Sequence, residues 1–432
     1  MPHSLPVVLQ MPGWKILSDQ RFTRFLAASG LTNLADGVAT VAWAWVASLL
    51  TRDPVLIACL PVALRLPWFL FAVPAGIITD RVDRRHLILT MDGARAFVFA
   101  AAALAVWLSL PLSPPPESGL TSPGLFWALL VAAFLIGGAE VFRDNSAQTM
   151  LPAIVPAHGL ERANGRLWSV ELIGNALIGP ALGAALIATS APLPFALNAV
   201  GLAIAFLVVL GLTGTFRAAR SAPRHWKTEL AEGWNFLRDA PLLRTLAWVT
   251  GGWNLLFQMA MIALVLHVQE NLGLGATGYG LILAAGAIGG VAGGSVGGPA
   301  VRRLGPARVA QWSLAASAPA FLLMALAPGP LILAVVFAVF EFAGILWNTV
   351  SVSYRQRTIP DALLGRVNSL YRLLAWGMMP LGLLLSGLVV RVADGIMPRP
   401  LALQTPFLLA ALAGGLLVAL AWRRIGRGFA DK

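Results

Sequence analysis

Three carboxylates stand inside long apolar runs of this chain, at Asp36, Glu171 and Glu341. A charged group in hydrocarbon is expensive, so such a residue faces a bundle interior or a water-filled cavity, where it can hold a proton or a cation. Each also shares a helical face with other polar residues. Asp36 recurs at helical spacing with Ser29, Asn33 and Thr40, Glu171 with Asn164, Trp168 and Asn175, and Glu341 with Gly344, Asn348 and Ser351. Asn254 and Gln258 repeat the pattern. Arg65 falls at a depth similar to that of Asp36 in the next apolar run, and a deep Arg needs a partner, so the two form a candidate pair. These residues define an expected solute cavity of Asn33, Asp36, Thr40, Arg65, Asn175, Asn254, Gln258, Glu341 and Asn348. Asp36 is the first choice for a proton-exchanging group, with Glu341 and then Glu171 in reserve. Interhelical hydrogen bonding accounts for the amides equally well. Asp92, Arg95, Glu140, Asp144 and Glu171 gather toward one membrane edge and read as gating salt bridges, and Glu341 with Arg372 forms a second candidate pair.

Two further segments carry chemistry. Gly76-Ile-Ile-Thr-Asp80-Arg81-Val-Asp83-Arg84-Arg85 packs charge between two apolar stretches. A carboxylate placed at a helix N-terminus gains about 0.3–1 kcal/mol, enough to bias a two-state equilibrium. Merely holding the loop in water is the plainer account. Gly174, Gly179, Pro180 and Gly183 place small residues along one helix, which lets another helix approach closely, with a Pro to bend it. Generic packing is again the plainer account.

Enzyme chemistry has no footing. His3, His86, His158, His225 and His267 are scattered, and no nucleotide-binding Gly-rich loop with Lys is present. The lone Cys59 excludes an internal disulfide or a cysteine-built metal site. Neither a metal nor a cofactor is expected.

The elements that must position these residues are membrane helices. Hydrophobic residues make up 58% of the 432 and charged residues 12%, well below the quarter or so typical of soluble domains. Runs of about 20 apolar residues span a bilayer. They occur over 22–50, 54–79, 86–108, 124–147, 165–189, 194–214, 244–268, 278–300, 307–327, 330–353, 366–390 and 403–422. The net charge of +12 does not imply nucleic acid, because the basic residues fall in short clusters between the runs. Of 31 Lys and Arg, only Arg52, Arg391 and Arg399 fall on the far side and Arg65 and Arg95 within spans, which places both termini in the cytoplasm. Pro2, Pro6 and Pro12 interrupt the start, so the first span is expected to act as its own insertion signal.

The expected organisation is a tail at 1–21, a six-helix half at 22–214, a central cytoplasmic loop at 215–243, a second half at 244–422 and a tail at 423–432. Lys227 to Trp234 reads as a short amphipathic helix on the inner leaflet. Pro156 with Arg162 and Asn164 recurs as Pro360 with Arg366 and Asn368 about half a chain later, as two related halves require.

The 76–85 segment resembles the Gly-x-x-x-Asp-Arg-x-Gly-Arg-Arg loop of major facilitator superfamily transporters, with Asp83 in place of the second Gly. Residues 174–184 are similar to the antiporter motif of that superfamily, with Ala184 at its last position. Arg65-Leu-Pro67 and Leu160-Glu-Arg-Ala-Asn164 are similar to the branch holding macrolide-efflux proteins and the enterobactin exporter, whereas residues 140–146 depart from its usual Pro-Ala pattern. The resemblance implies twelve helices in two pseudo-symmetric halves with a binding site between them. It also implies a conformational latch built from Gly76, Asp80, Arg81, Arg84, Arg85, Glu140 and Asp144. The implied activity is proton-coupled export of amphipathic, drug-like molecules by a monomer in a bacterial plasma membrane. A siderophore or lysolipid carrier in either direction, or a non-transporting sensor, are the rival readings.

Overall fold

The computed structural model describes residues 19–156, 160–214, 216–217 and 226–430. Most of the expected 1–21 tail and the start of the 215–243 connection lie outside the described residues. Twelve helices long and apolar enough to cross a bilayer are present among those described. The first four run Gln20–Leu50, Pro54–Arg81, Arg84–Leu108 and Pro123–Ile154. The fifth is built from Leu160–Glu171, a π-helical stretch Leu172–Ile178, and Gly179–Thr189. The sixth is Leu193–Leu210, and the amphipathic helix Trp226–Asp239 follows it. The seventh, Pro241–Leu266, ends in a π turn His267–Asn271. Ala276–Leu304, Pro306–Leu326 and Pro330–Thr358 are the eighth to tenth. The eleventh comprises Asp361–Trp376 and Met378–Asp394, and the twelfth Arg399–Ala402 and Thr405–Ala430.

Local chemistry fixes the ends. Asp83 caps the third helix, its carboxylate accepting from the His86 amide at 3.2 Å, which satisfies one of the orphan donors of the first turn. Gly305, at φ +80°, turns the chain between the eighth and ninth helices, and Pro306 opens the ninth where no amide hydrogen is needed. The outward faces are apolar: Phe97 and Leu331 are each 76% exposed, as hydrocarbon-facing residues would be. The fourth helix continues past the expected 147 to Ile154, and the twelfth through the expected tail to Ala430.

The chain forms two compact units. One takes the first helix up to Ala42, Leu70–Pro111 and the fourth to sixth helices; the other takes Trp43–Phe69, Leu112–Phe126 and everything from the amphipathic helix onward. Within the first unit, the first helix crosses the fifth at Gly37, the second meets the fourth through Phe71 and Phe142, and the third packs on the sixth. Within the second, the seventh packs on the eleventh, the eighth on the tenth, and the ninth on the twelfth. Each pairing recurs six helices later, which is the internal repeat in physical form. The eighth–tenth contact rests on a glycine row. A Cβ at Gly293 would stand 2.6 Å from the Phe342 carbonyl, and one at Gly297 2.9 Å from the Thr349 hydroxyl.

Candidate functional site

The first unit buries a charge cluster. Arg95 of the third helix is ion-paired with Asp36 of the first, its own side chain fully buried. The expected partner Arg65 is half-buried in the second helix and belongs to the other unit. One turn before Arg95, the buried Asp92 lies 3.6 Å from Arg143 Nε, and Arg143 donates to Asp144 at 3.2 Å. Arg143, counted with the cytoplasmic basic residues although the expected 124–147 span contains it, is buried where it meets Asp92 and Asp144. Glu140, one turn before Asp144, is also buried. Four carboxylates thus accompany two guanidiniums. Both Asp92 oxygens, Arg95 Nε and Nη1, and Arg143 Nε lie buried without a hydrogen-bond partner among the described residues. Buried charges short of hydrogen-bond partners are costly, so the network is under-satisfied in this arrangement.

The remaining polar positions divide between the units. In the first, Asn33 donates to the Ser29 carbonyl at 2.8 Å, and Thr40 to that of Asp36 at 3.0 Å. Asn175 is half-buried where the fifth helix meets Gly37. Glu171 is exposed at the end of the first segment of the fifth helix, unlike the buried Asp92, Arg95 and Glu140 with which sequence grouped it. In the second unit, Asn254 donates to the Ala375 carbonyl at 2.9 Å, a packing role. Gln258 and Glu341 are half-buried and Asn348 is exposed. No ion pair joins Glu341 to Arg372 among the described residues; the Arg372 guanidinium lies 5.0 Å above the Trp376 ring. A helical register brought the two into apparent range, but the aromatic face holds the cation.

Of the latch positions, Gly76 and Asp80 lie in the last turns of the second helix and Arg81 ends it. Arg84 donates to the Thr149 carbonyl at 2.8 Å, and Arg85 to those of Leu210 at 2.7 Å and Val209 at 3.3 Å. Cations there complement the negative end of the sixth helix. Asp83, the departure from the superfamily pattern, also accepts from the Phe216 amide at 2.9 Å. A carboxylate thus ties the segment after the sixth helix to the cap of the third.

At the Gly-Pro segment the backbones of the first and fifth helices touch. A Cβ on Gly37 would fall 2.6 Å from the Gly174 carbonyl, and one on Gly183 2.7 Å from that of Val38. Gly179 lies against Gly37 in the same crossing. Pro180 supplies no amide hydrogen, and the π-helical stretch just before it absorbs the resulting misfit.

A second charged network was missed by sequence reasoning, which read its members as loop charges. Arg399 is ion-paired with Asp394, donates to Glu270 at 2.9 Å, and reaches the Arg52 carbonyl at 2.9 Å. Arg52 in turn donates to Gln269, which donates to Ser48 at 2.8 Å. Asp53 stands 3.8 Å from Arg391. The turn between the first two helices is thereby tied to the seventh, eleventh and twelfth. The only available signal was that acids and bases occur together at those helix ends.

Twelve helices in a repeated six-plus-six pairing, with titratable groups buried in the spans, define a membrane transporter of the major facilitator superfamily. The chain belongs to the transmembrane secretion effector family, whose model matches residues 11–423. Enterobactin exporter EntS of Escherichia coli O1:K1 is 26% identical over 310 residues, covering 70% of this chain and 69% of the relative. The EntS of Shigella boydii serotype 18 matches to the same extent, 26% over 310 residues. Among solved structures, a point mutant of nucleoside transporter NupG superposes with a TM-score of 0.71 at 14% identity, covering 93% of this chain and 99% of that one. A bacterial homologue of the iron transporter ferroportin, inward-facing, gives 0.70 at 18%, covering 94% and 98%. At these identities the solved structures establish the fold. The protein is not an enzyme.

Proposed function

We propose that this protein is a proton-coupled exporter of amphipathic small molecules in a bacterial plasma membrane, with both termini cytoplasmic and the monomer as the working unit. The observation that carries the reading is the buried cluster around Asp36, in which carboxylates outnumber guanidiniums and several charged atoms lack hydrogen-bond partners among the described residues. A proton arriving at Asp36 releases Arg95, which then has Asp92 and Glu140 within its surroundings as alternative partners. That exchange can couple proton entry to movement of the third helix against the first. No Gly-rich nucleotide loop accompanies these spans, so an ion gradient is the simplest energy source. Asp80, Arg81, Arg84 and Arg85 bias the conformational equilibrium, and the glycine crossing at Gly174, Gly179 and Gly183 with Pro180 supports outward transport.

A siderophore exporter on the same scaffold is the second reading, favoured by the resemblance to enterobactin exporters. Proteoliposomes with an imposed pH gradient test both. Uphill movement of ethidium that collapses in Asp36→Asn supports the first reading. Movement of a catecholate siderophore but not of ethidium supports the second. Movement of either solute unaffected by the pH gradient removes the proton from the mechanism.

A further inference from the structure

Beside a packed set of rings in the second unit stands a carboxylate that meets no counter-charge among the described residues. Trp253 and Phe257, one turn apart on the seventh helix, lie nearly parallel to Phe340 of the tenth. The Trp253 and Phe340 centroids are 5.2 Å apart at 11°, those of Phe257 and Phe340 5.7 Å apart at 10°. Phe321 of the ninth helix backs Phe340 at 4.9 Å, fixing the stack from behind. Trp253 and Phe257 stay half-buried, so they retain free surface.

Glycines shape the slot. A Cβ at Gly344 would meet Trp253 Cη2 at 3.3 Å, so the bare backbone there admits the indole. On the other flank, a Cβ at Gly286 of the eighth helix would stand 3.2 Å from Glu341 Cγ, so the Glu341 stem leans on a glycine. At about 100° per residue, Glu341, Gly344 and Asn348 fall on one narrow face of the tenth helix. The carboxylate therefore lies between an aromatic flank and a glycine flank, with the exposed Asn348 two turns along. Among the described residues no cation pairs with it.

We propose that Glu341, Trp253 and Phe257, backed by the buried Phe340, form a binding site for ligands that join a flat aromatic body to a positive charge. The rings offer a flat π surface on which an aromatic body stacks, and an indole face attracts a cation. A carboxylate in a membrane span without a counter-ion is completed by a cationic ligand, whereas an anionic one meets repulsion. The first unit carries the same bias, with Asp36, Asp92, Glu140 and Asp144 against the two guanidiniums of Arg95 and Arg143. This assignment rests on the exporter reading for the premise that the slot meets solute, and it narrows the substrate class.

The test is equilibrium binding to the purified full chain, with ethidium as the flat cation, 9-anthracenemethanol as a flat neutral and pyrenesulfonate as a flat anion. Ethidium is expected to bind tightest. Glu341→Gln should weaken ethidium by about tenfold or more while leaving the neutral probe within about twofold. Glu341→Asp, which keeps the charge, should retain most ethidium affinity, and this guards against a misfolded Gln variant. Trp253→Ala should weaken both the cation and the neutral probe, and Trp253→Phe should restore most of the loss. Unchanged ethidium affinity in Glu341→Gln, pyrenesulfonate bound as tightly as ethidium, or no ethidium binding at all overturns the site. Transport is read separately in proteoliposomes. Binding with the expected pattern but no movement of ethidium sinks the exporter reading and leaves the site. Undiminished movement in both Glu341→Gln and Trp253→Ala does the reverse.

Discussion

Arg95 and Asp36 form an ion pair between the third and first helices in which the arginine side chain is fully buried and the aspartate is 18% exposed. The pair is lopsided. Asp36 keeps some free surface, while the Arg95 side chain has none. Its Nε and Nη1 atoms make no hydrogen bond among the described residues, so Asp36 is the chief compensation for a cation inside a membrane span.

Removing one partner of a buried pair leaves the other uncompensated, at a cost of about 3–5 kcal/mol in soluble proteins. Asp36→Asn should therefore lower thermal stability in detergent as well as abolish gradient-driven transport. The double variant Asp36→Asn/Arg95→Gln should regain most of the stability without regaining coupling. Thermal unfolding followed by size-exclusion chromatography measures the first effect, and uptake under an imposed pH gradient the second. Recovered coupling in the double variant would remove Asp36 from the proton path.

The glycine crossing makes a different demand. Overpacking a tight contact costs about 1–3 kcal/mol. Gly37→Ala and Gly183→Ala should each destabilise the protein, because the added methyl would stand 2.6 and 2.7 Å from a backbone carbonyl oxygen. Gly76→Ala and Gly165→Ala meet nothing within 4 Å and serve as controls. Equal melting temperatures across the four variants would mean that the first and fifth helices are not held at this separation.

The helix count and the paired halves were legible because hydrocarbon imposes a length and a composition that no other environment does. That Asp36 and Glu341 stand inside spanning helices was legible for the same reason. Partner choice was not. Arg65 and Arg95 are the same residue type within neighbouring spans, and only the packing of the third helix brings Arg95 to Asp36. Arg143 was counted on the cytoplasmic side although the expected 124–147 span contains it, because the polar Asp144, Asn145 and Ser146 beside it look like a helix edge when hydropathy is the guide. Asp83 read as a departure from a glycine, yet Asp three residues before a backbone amide in need of a partner is an N-cap signature, and here it is one. The network around Arg399 joins residues more than 300 positions apart, beyond the reach of any local pattern.

That network predicts a conformational effect. Arg399 touches Glu270, Asp394 and the Arg52 carbonyl, so Arg399→Gln should loosen the tie between the 51–53 turn and the seventh helix. Ser48, fully buried and accepting from Gln269, reports on it. In a Cys59→Ala background, Ser48→Cys should react with a small thiol reagent severalfold faster when Arg399→Gln is added. Arg238→Gln, which breaks an exposed pair at 61% and 68% exposure, should leave the rate unchanged. Equal rates in both backgrounds would make the network incidental to opening.

Orientation is the remaining prediction. Lys and Arg cluster in the connections that follow the second, fourth, sixth, eighth and tenth apolar runs, and such connections stay in the cytoplasm. The stretch between the third and fourth helices, whose bounds are Leu108 and Pro123, carries neither residue and should lie outside. Ser118 and Arg238 are exposed reporters on the two sides. In Cys59→Ala, Ser118→Cys should be blocked by a membrane-impermeant maleimide added to intact spheroplasts, and Arg238→Cys should react only after permeabilisation. Reaction at position 238 and protection at 118 would invert the topology, and with it the direction inferred for proton and solute. Reaction at both before permeabilisation would break the expected six-helix half between them.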